Sequence, residues 1–108
     1  MSGPQKSIFR IDKFAVPAGA RDPFLAKIRE THALLDGVDG CLQNLVLEQV
    51  SGPGKYNIVT IVEWRDTDAL EQAKRAAQMR HQASGFDPAT MLAELGIEAD
   101  LGNYQPLM

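Results

Sequence analysis

Two histidines, one arginine and one tryptophan are the residues of this 108-residue chain whose types and positions suit chemistry on a small molecule. His32 falls in an apolar stripe with Phe24, Ile28 and Leu35 at helical spacing. An imidazole there titrates near neutral pH and can serve as a general base or a ligand anchor. The alternative is a hydrogen-bonded histidine at the edge of the core. His81 follows Arg80 near the end of a second helical pattern, where it is either a base or a cation at the helix's negative end. Arg80 continues the Ala73–Ala76 stripe inward, placing a guanidinium where a phenolate or enolate oxygen could rest. It could equally pair at the surface or across a dimer. Trp64 shares a strand face with Tyr56, Ile58, Thr60 and Val62. It offers a flat wall for an aromatic substrate and an indole N–H, or else packs beneath the second helix. The candidate catalytic residues are therefore His32, His81 and Arg80. The candidate substrate contacts are Trp64, Tyr56, Phe24 and Ile28.

Other chemistries find no support. The chain has no glycine-rich phosphate loop, no HExxH helix and no nucleophile elbow. Two histidines without a third ligand at suitable spacing do not make a zinc site, and no residues suggest a bound cofactor. The net charge of −3 carries no footprint for nucleic acid. Lys27, Arg29, Lys74, Arg75 and Arg80 are interspersed with Glu30 and Glu71, as on solvated helix faces. The single cysteine, Cys41, forms no intrachain disulfide and reads as a small hydrophobe. No apolar run approaches the roughly 18 residues of a membrane span, and residues 1–6 lack the apolar core of a signal peptide. A reducing, cytoplasmic setting is the expectation.

The elements that must position these side chains follow from the pattern. Residues 1–6 read as a flexible tail and residues 7–108 as one domain. Residues 7–16 mix aromatic and β-branched side chains with alternating charge, as in a strand. Asp22-Pro23 predicts a helix start by cap and first-turn proline, and Gly37 predicts its end. Residues 42–50 and 56–64 read as strands across the turn Ser51-Gly52-Pro53-Gly54. Asp66, Thr67 and Asp68 offer caps for a helix over 68–82 with an inner stripe of Ala69, Ala73, Ala76 and Ala77, and Ser84-Gly85 breaks it. Asp87-Pro88 starts a short helix closed by Gly96, and a last strand follows near 97–106.

This order predicts an α+β, ferredoxin-like βαββαβ fold with helices on one face of a four-stranded antiparallel sheet. The third strand, Ile58-Val59-Thr60-Ile61-Val62, is apolar on both faces. An antiparallel strand with one wet face should alternate, so each of its faces needs a cover. The helices supply one cover, and a second copy of the chain packing sheet to sheet supplies the other, giving a homodimeric α/β barrel. Arg10, Asp12, Lys13 and Glu63 are expected to form ion pairs across that interface.

The segment Val62-Glu63-Trp64-Arg65-Asp66-Thr67-Asp68-Ala69-Leu70 resembles the strand-to-helix signature of the antibiotic biosynthesis monooxygenase-like group, in the dimeric α/β-barrel superfamily. Trp64, Asp66, Ala69 and Leu70 match its spacing, and Gly40-Cys41 matches a glycine–cysteine pair before the second strand. The likeness spans roughly residues 7–105. It implies the dimeric barrel and a family of cofactor-free monooxygenases, haem degraders and proteins without established reactions. The haem-degrading set is an asparagine on strand one, a tryptophan in helix two and a histidine near that helix's end. Here only His81 stands in such a place. The glutamate that members often carry two residues before the tryptophan is replaced by Val62, and Glu63 points to the other side.

Two functions follow. The first is a cofactor-free monooxygenase that takes a proton from a phenolic or polyketide-like aromatic, with His32 or His81 as base, Arg80 as anion partner, and Trp64 and Tyr56 as walls. The second is a non-catalytic dimeric barrel that binds a small apolar ligand or serves a stress or regulatory role. An open cavity with two or more converging polar groups would favour the first.

Overall fold

A computed structural model describes residues 6–108. Residues 1–5 of the expected tail lie outside the described residues, while the Lys6 ammonium donates to the Pro106 carbonyl at 3.3 Å. The elements run β1 (Ile8–Ala15), a 3-10 turn (Ala18–Ala20), α1 (Arg21–Leu35), β2 (Cys41–Glu48), β3 (Ile58–Trp64), α2 (Thr67–Ser84), α3 (Pro88–Leu95) and β4 (Glu98–Tyr104). The strands pair antiparallel in the order β2-β3-β1-β4. This is the ferredoxin-like α+β arrangement that the element order predicts.

Several boundaries differ from the sequence reading, each for a local reason. The first helix begins at Arg21, because the 3-10 turn closed by Ala20 N–H to Pro17 O (2.9 Å) feeds directly into it. Asp22 therefore lies in the first turn and not at the cap. Gly37 does not end the helix in a left-handed conformation; Asp36 closes α1 in a right-handed conformation, and the left-handed residue of this connection is Gly40, at φ 87°, directly before β2. The third strand starts at Ile58, not at residue 56. The Asn57 side chain takes both the Val16 N–H (2.8 Å) and the Val16 carbonyl (2.9 Å), so an amide side chain replaces one step of the ladder. The second helix is capped by Asp66, which accepts from Ala69 N–H at 2.8 Å, and is closed by Gly85 at φ 73°. Ala76, assigned to its inner stripe, is exposed; Ala69, Leu70, Ala73 and Ala77 turn inward. The third helix matches its prediction, with Asp87 as cap and Gly96 as left-handed stop.

Strand register divides the sheet into two faces. Ile8, Arg10, Asp12 and Phe14 share the helix-covered face with Trp64, Val62, Thr60 and Ile58. Two apolar clusters form there. One gathers Phe14, Val16, Ala20, Phe24, Leu25, Ile58 and Ile97, with the Phe14 and Phe24 rings edge-to-face at 4.9 Å. The other holds Val62, Trp64 and Ala69. Burying a side chain such as Phe24 contributes about 1.5–3 kcal/mol.

The opposite face carries Phe9, Ile11, Val59 and Ile61, with Leu45, Leu47 and Tyr104 exposed at 41%, 45% and 45%. The molecule is 19 Å across its thinnest direction, which is one sheet and one helix layer at the roughly 10 Å spacing of packed layers. Nothing within the described residues covers this apolar face.

The close approach of α2 to the end of β2 depends on Gly40. A Cβ there would lie 2.5 Å from the Ala69 Cβ, on a backbone already in the left-handed region. Gly40→Ala is expected to cost about 1–3 kcal/mol in urea unfolding, while Gly37→Ala, with open space around it, should change stability little.

Candidate active site

Across the helix-covered face, the register lines up Asn44, Val62, Arg10 and Asn103 on four adjacent strands, and Val46, Thr60, Asp12 and Leu101 on the next row. A band of polar groups therefore separates the two apolar clusters. Arg10 Nε donates to Asp12 Oδ1 at 2.6 Å, with the two side chains 34% and 21% exposed. Both residues were expected at a partner interface. The pairing of Arg10 with Val62 and of Asp12 with Thr60 places them beneath the helices instead. Lys13 and Glu63 do lie on the open face, paired with Val59 and Phe9.

A cavity of about 270 Å³ opens between this band and α2. Val62 and Trp64 form its floor, Leu35, Leu70, Ala73 and Ala77 its apolar sides, and Arg10, Arg80 and Asn103 converge on it with hydrogen-bond donors. The alanines leave the space that larger side chains would fill. Lys74 and Glu71 stand at the rim, so the lining carries more positive than negative charge. Trp64 is 4% exposed and packs against Ala69, presenting a rigid indole to the space.

His32 is buried at 9% exposure on the sheet-facing side of α1, one residue from the cavity-lining Thr31. Its Nδ1 lies 3.4 Å from Asn44 Oδ1, and Asn44 Nδ2 donates to Asp36 Oδ1 at 3.0 Å. Burial pushes the Asp12 carboxyl above the usual carboxylate range, against the pull of Arg10 and His32. A carboxylate raised in the folded state weakens the fold at neutral pH, and that cost is relieved as pH falls through the raised value. The capping carboxylates have the opposite sign. Ala69 N–H holds Asp66 low, and Thr90 holds Asp87 low, so their contributions are lost on acidification.

The other candidates are placed elsewhere. His81 packs edge-to-face on Phe86 at 5.5 Å and lines an open groove at the junction of α2 and α3, away from the Trp64 cavity. Phe24, at 1% exposure, is wholly within the larger apolar cluster. Ile28 borders a small cleft with Leu25, Val46 and Ile58. Tyr56 precedes β3, with the Lys55 ammonium 5.9 Å from its ring, and does not reach the cavity. Of the seven, Trp64 and Arg80 line the cavity; His32 does not, but its neighbour Thr31 does. Sequence reasoning missed Arg10, Asp12, Asn44 and Asn103. The available signal was the alternation of β1, which puts Arg10 and Asp12 on the face of Ile8 and Phe14.

The cysteine is half-buried, and burial raises its thiol above the ordinary range. No described helix is long and apolar enough to cross a membrane.

The fold recurs in solved structures. A mutant form of SnoaB, a cofactor-independent oxygenase from Streptomyces nogalater, is 21% identical, with 95% of each chain covered and a TM-score of 0.70. A conserved protein from Methanosarcina mazei is 19% identical over 94% of this chain and 93% of that one, with a TM-score of 0.71. The haem degrader MhuD from Mycobacterium tuberculosis is 18% identical over 94% and 96%, with a TM-score of 0.68. No curated protein matches the chain in sequence. The family model described as antibiotic biosynthesis monooxygenase matches residues 7–84, which include β1 to α2 and with them the Trp64 cavity floor, and the chain belongs to that family.

Proposed function

We propose that the protein is a cofactor-free monooxygenase acting on a small phenolic or polyketide-like aromatic bound between the sheet and α2. The observation that carries this reading is the cavity itself: a flat indole and aliphatic walls on which the donors of Arg10, Arg80 and Asn103 converge. Membership of the monooxygenase family supports it. A polycyclic ring would lie on Trp64 with its oxygen among the guanidinium groups, which favour the anion over the neutral phenol.

His32, one residue from the cavity-lining Thr31, is the base of this reading and takes the proton through a bridging water. Removing a proton leaves an electron-rich carbanion. It gives one electron to O₂, and the substrate radical and superoxide combine to form a carbon–oxygen bond. The peroxide then takes up a proton and loses water to leave a carbonyl. A CH₂ group becomes C=O in a four-electron oxidation, and O₂ supplies one oxygen to the product and one to water. His81 has no part in this scheme.

The assembly proposed is a homodimer through the open sheet faces. The apolar side chains of β1, β2 and β3 on that face, with Tyr104 lying over Gly102, support a sheet-to-sheet contact. A stable dimer of ordinary size buries about 800 Å² per partner.

Purified protein should consume one O₂ for each quinone formed from an anthrone-like substrate. No oxygen-dependent product in air would overturn the reading. His32→Gln should lower kcat by about 10²-fold or more, while His81→Gln leaves it unchanged. In sedimentation velocity the protein should run as a dimer at micromolar concentration, and Ile61→Glu, at the centre of the open face, should convert it to monomer. A stably folded wild-type monomer under those conditions would remove the sheet-to-sheet assembly.

A further inference from the structure

We propose that Asp36 and Asn44 form a positioning relay that fixes which nitrogen of His32 carries the proton. Asp36 caps the C-terminal end of α1, four residues after His32, and Asn44 projects from β2 beneath the same helix turn. The chain of contacts runs from the Asp36 carboxylate to Asn44 Nδ2 at 3.0 Å, and from Asn44 Oδ1 to His32 Nδ1 at 3.4 Å.

The chemistry of the groups sets the direction of each bond. An ionised carboxylate only accepts hydrogen bonds, so it holds the Asn44 amide with its NH₂ toward Asp36. The amide oxygen is thereby turned toward His32, and an oxygen there can only accept. Nδ1 of His32 must therefore be the protonated nitrogen, and the lone pair of the neutral ring is left on Nε2. Flipping the amide would set oxygen against carboxylate and NH₂ against the Nδ1 proton, losing both bonds. The relay thus converts an exposed acidic residue at a helix end into control of a buried imidazole.

The position of Asp36 favours this role over a structural one. A carboxylate in the last turn of a helix faces the negative end of the helix dipole, which disfavours it. The catalytic consequence rests on His32 being the base of the proposed oxygenase; the protonation pattern of the ring does not.

The test is the ring ¹⁵N spectrum of His32 at a pH where the imidazole is neutral, assigned with His81→Gln because the chain has 2 histidines. Wild-type protein should show Nδ1–H with an unprotonated Nε2. Asp36→Ala should move the ring toward the Nε2–H pattern, and Asp36→Asn, whose amide can donate as well as accept and so no longer fixes the direction, should move it the same way. The same Asp36→Ala should lower kcat about tenfold, less than loss of the base itself, with no loss of melting temperature. A wild-type ring in the Nε2–H form would overturn the relay, as would an Asp36→Ala ring unchanged from wild type. If no oxygen-dependent turnover is found at all, the oxygenase reading fails, and the ring spectrum still decides the relay.

Discussion

The Arg10–Asp12 ion pair sits on the one sheet face that the helices cover, and much of the interior is arranged around it. Charges placed between a sheet and its helices carry a desolvation cost that an apolar pair would not. Here the pair is flanked on the neighbouring strands by groups that can hydrogen-bond, Asn103 beside Arg10 and Thr60 beside Asp12. It splits what would otherwise be a single core into a larger cluster around Phe24 and a smaller one around Trp64. Burial is also what raises the Asp12 carboxyl.

The small residues of α2 have a matching consequence. Ala69 lies so close to Gly40 that a Cβ at residue 40 would collide with it, and this close approach sets the start of α2 against the sheet. Further along, Ala73 and Ala77 do not fill the space beneath the helix. One end of α2 is therefore tight and the rest spans a cavity floored by Trp64. The helix that anchors the strand-to-helix junction also roofs the candidate site.

The two sheet faces are built to different rules. The covered face mixes apolar clusters with a polar band, whereas the centre of the open face is apolar, with charges such as Lys13 and Glu63 set among Phe9, Ile11 and Ile61. Side chains alternate across a strand with period two, so one register separates the two sets. Exposed aliphatic side chains on a face this wide exceed what a solvated antiparallel sheet ordinarily carries.

Much of this could be read from the residues. The order of strands and helices, the Asp66 and Asp87 caps, the glycine stops at Gly85 and Gly96, and the two-sided apolarity of β3 all rest on local signals of spacing and conformation. The family likeness also lay in a local segment, the Trp64-to-Leu70 junction, and the matched region contains it. What the chain alone did not decide was which groups meet. Arg10 and Asp12 looked like interface charges because alternation gives two faces without saying which one the helices choose. Phe24 and Ile28 looked like pocket walls because helical spacing does not separate a filled core from an open cavity. The Asp36–Asn44–His32 chain joins a helix end to a strand, and no periodicity in either element announces it. Those outcomes depend on strand register and on the tilt of α1 and α2 over the sheet, which are set by packing between segments distant in sequence.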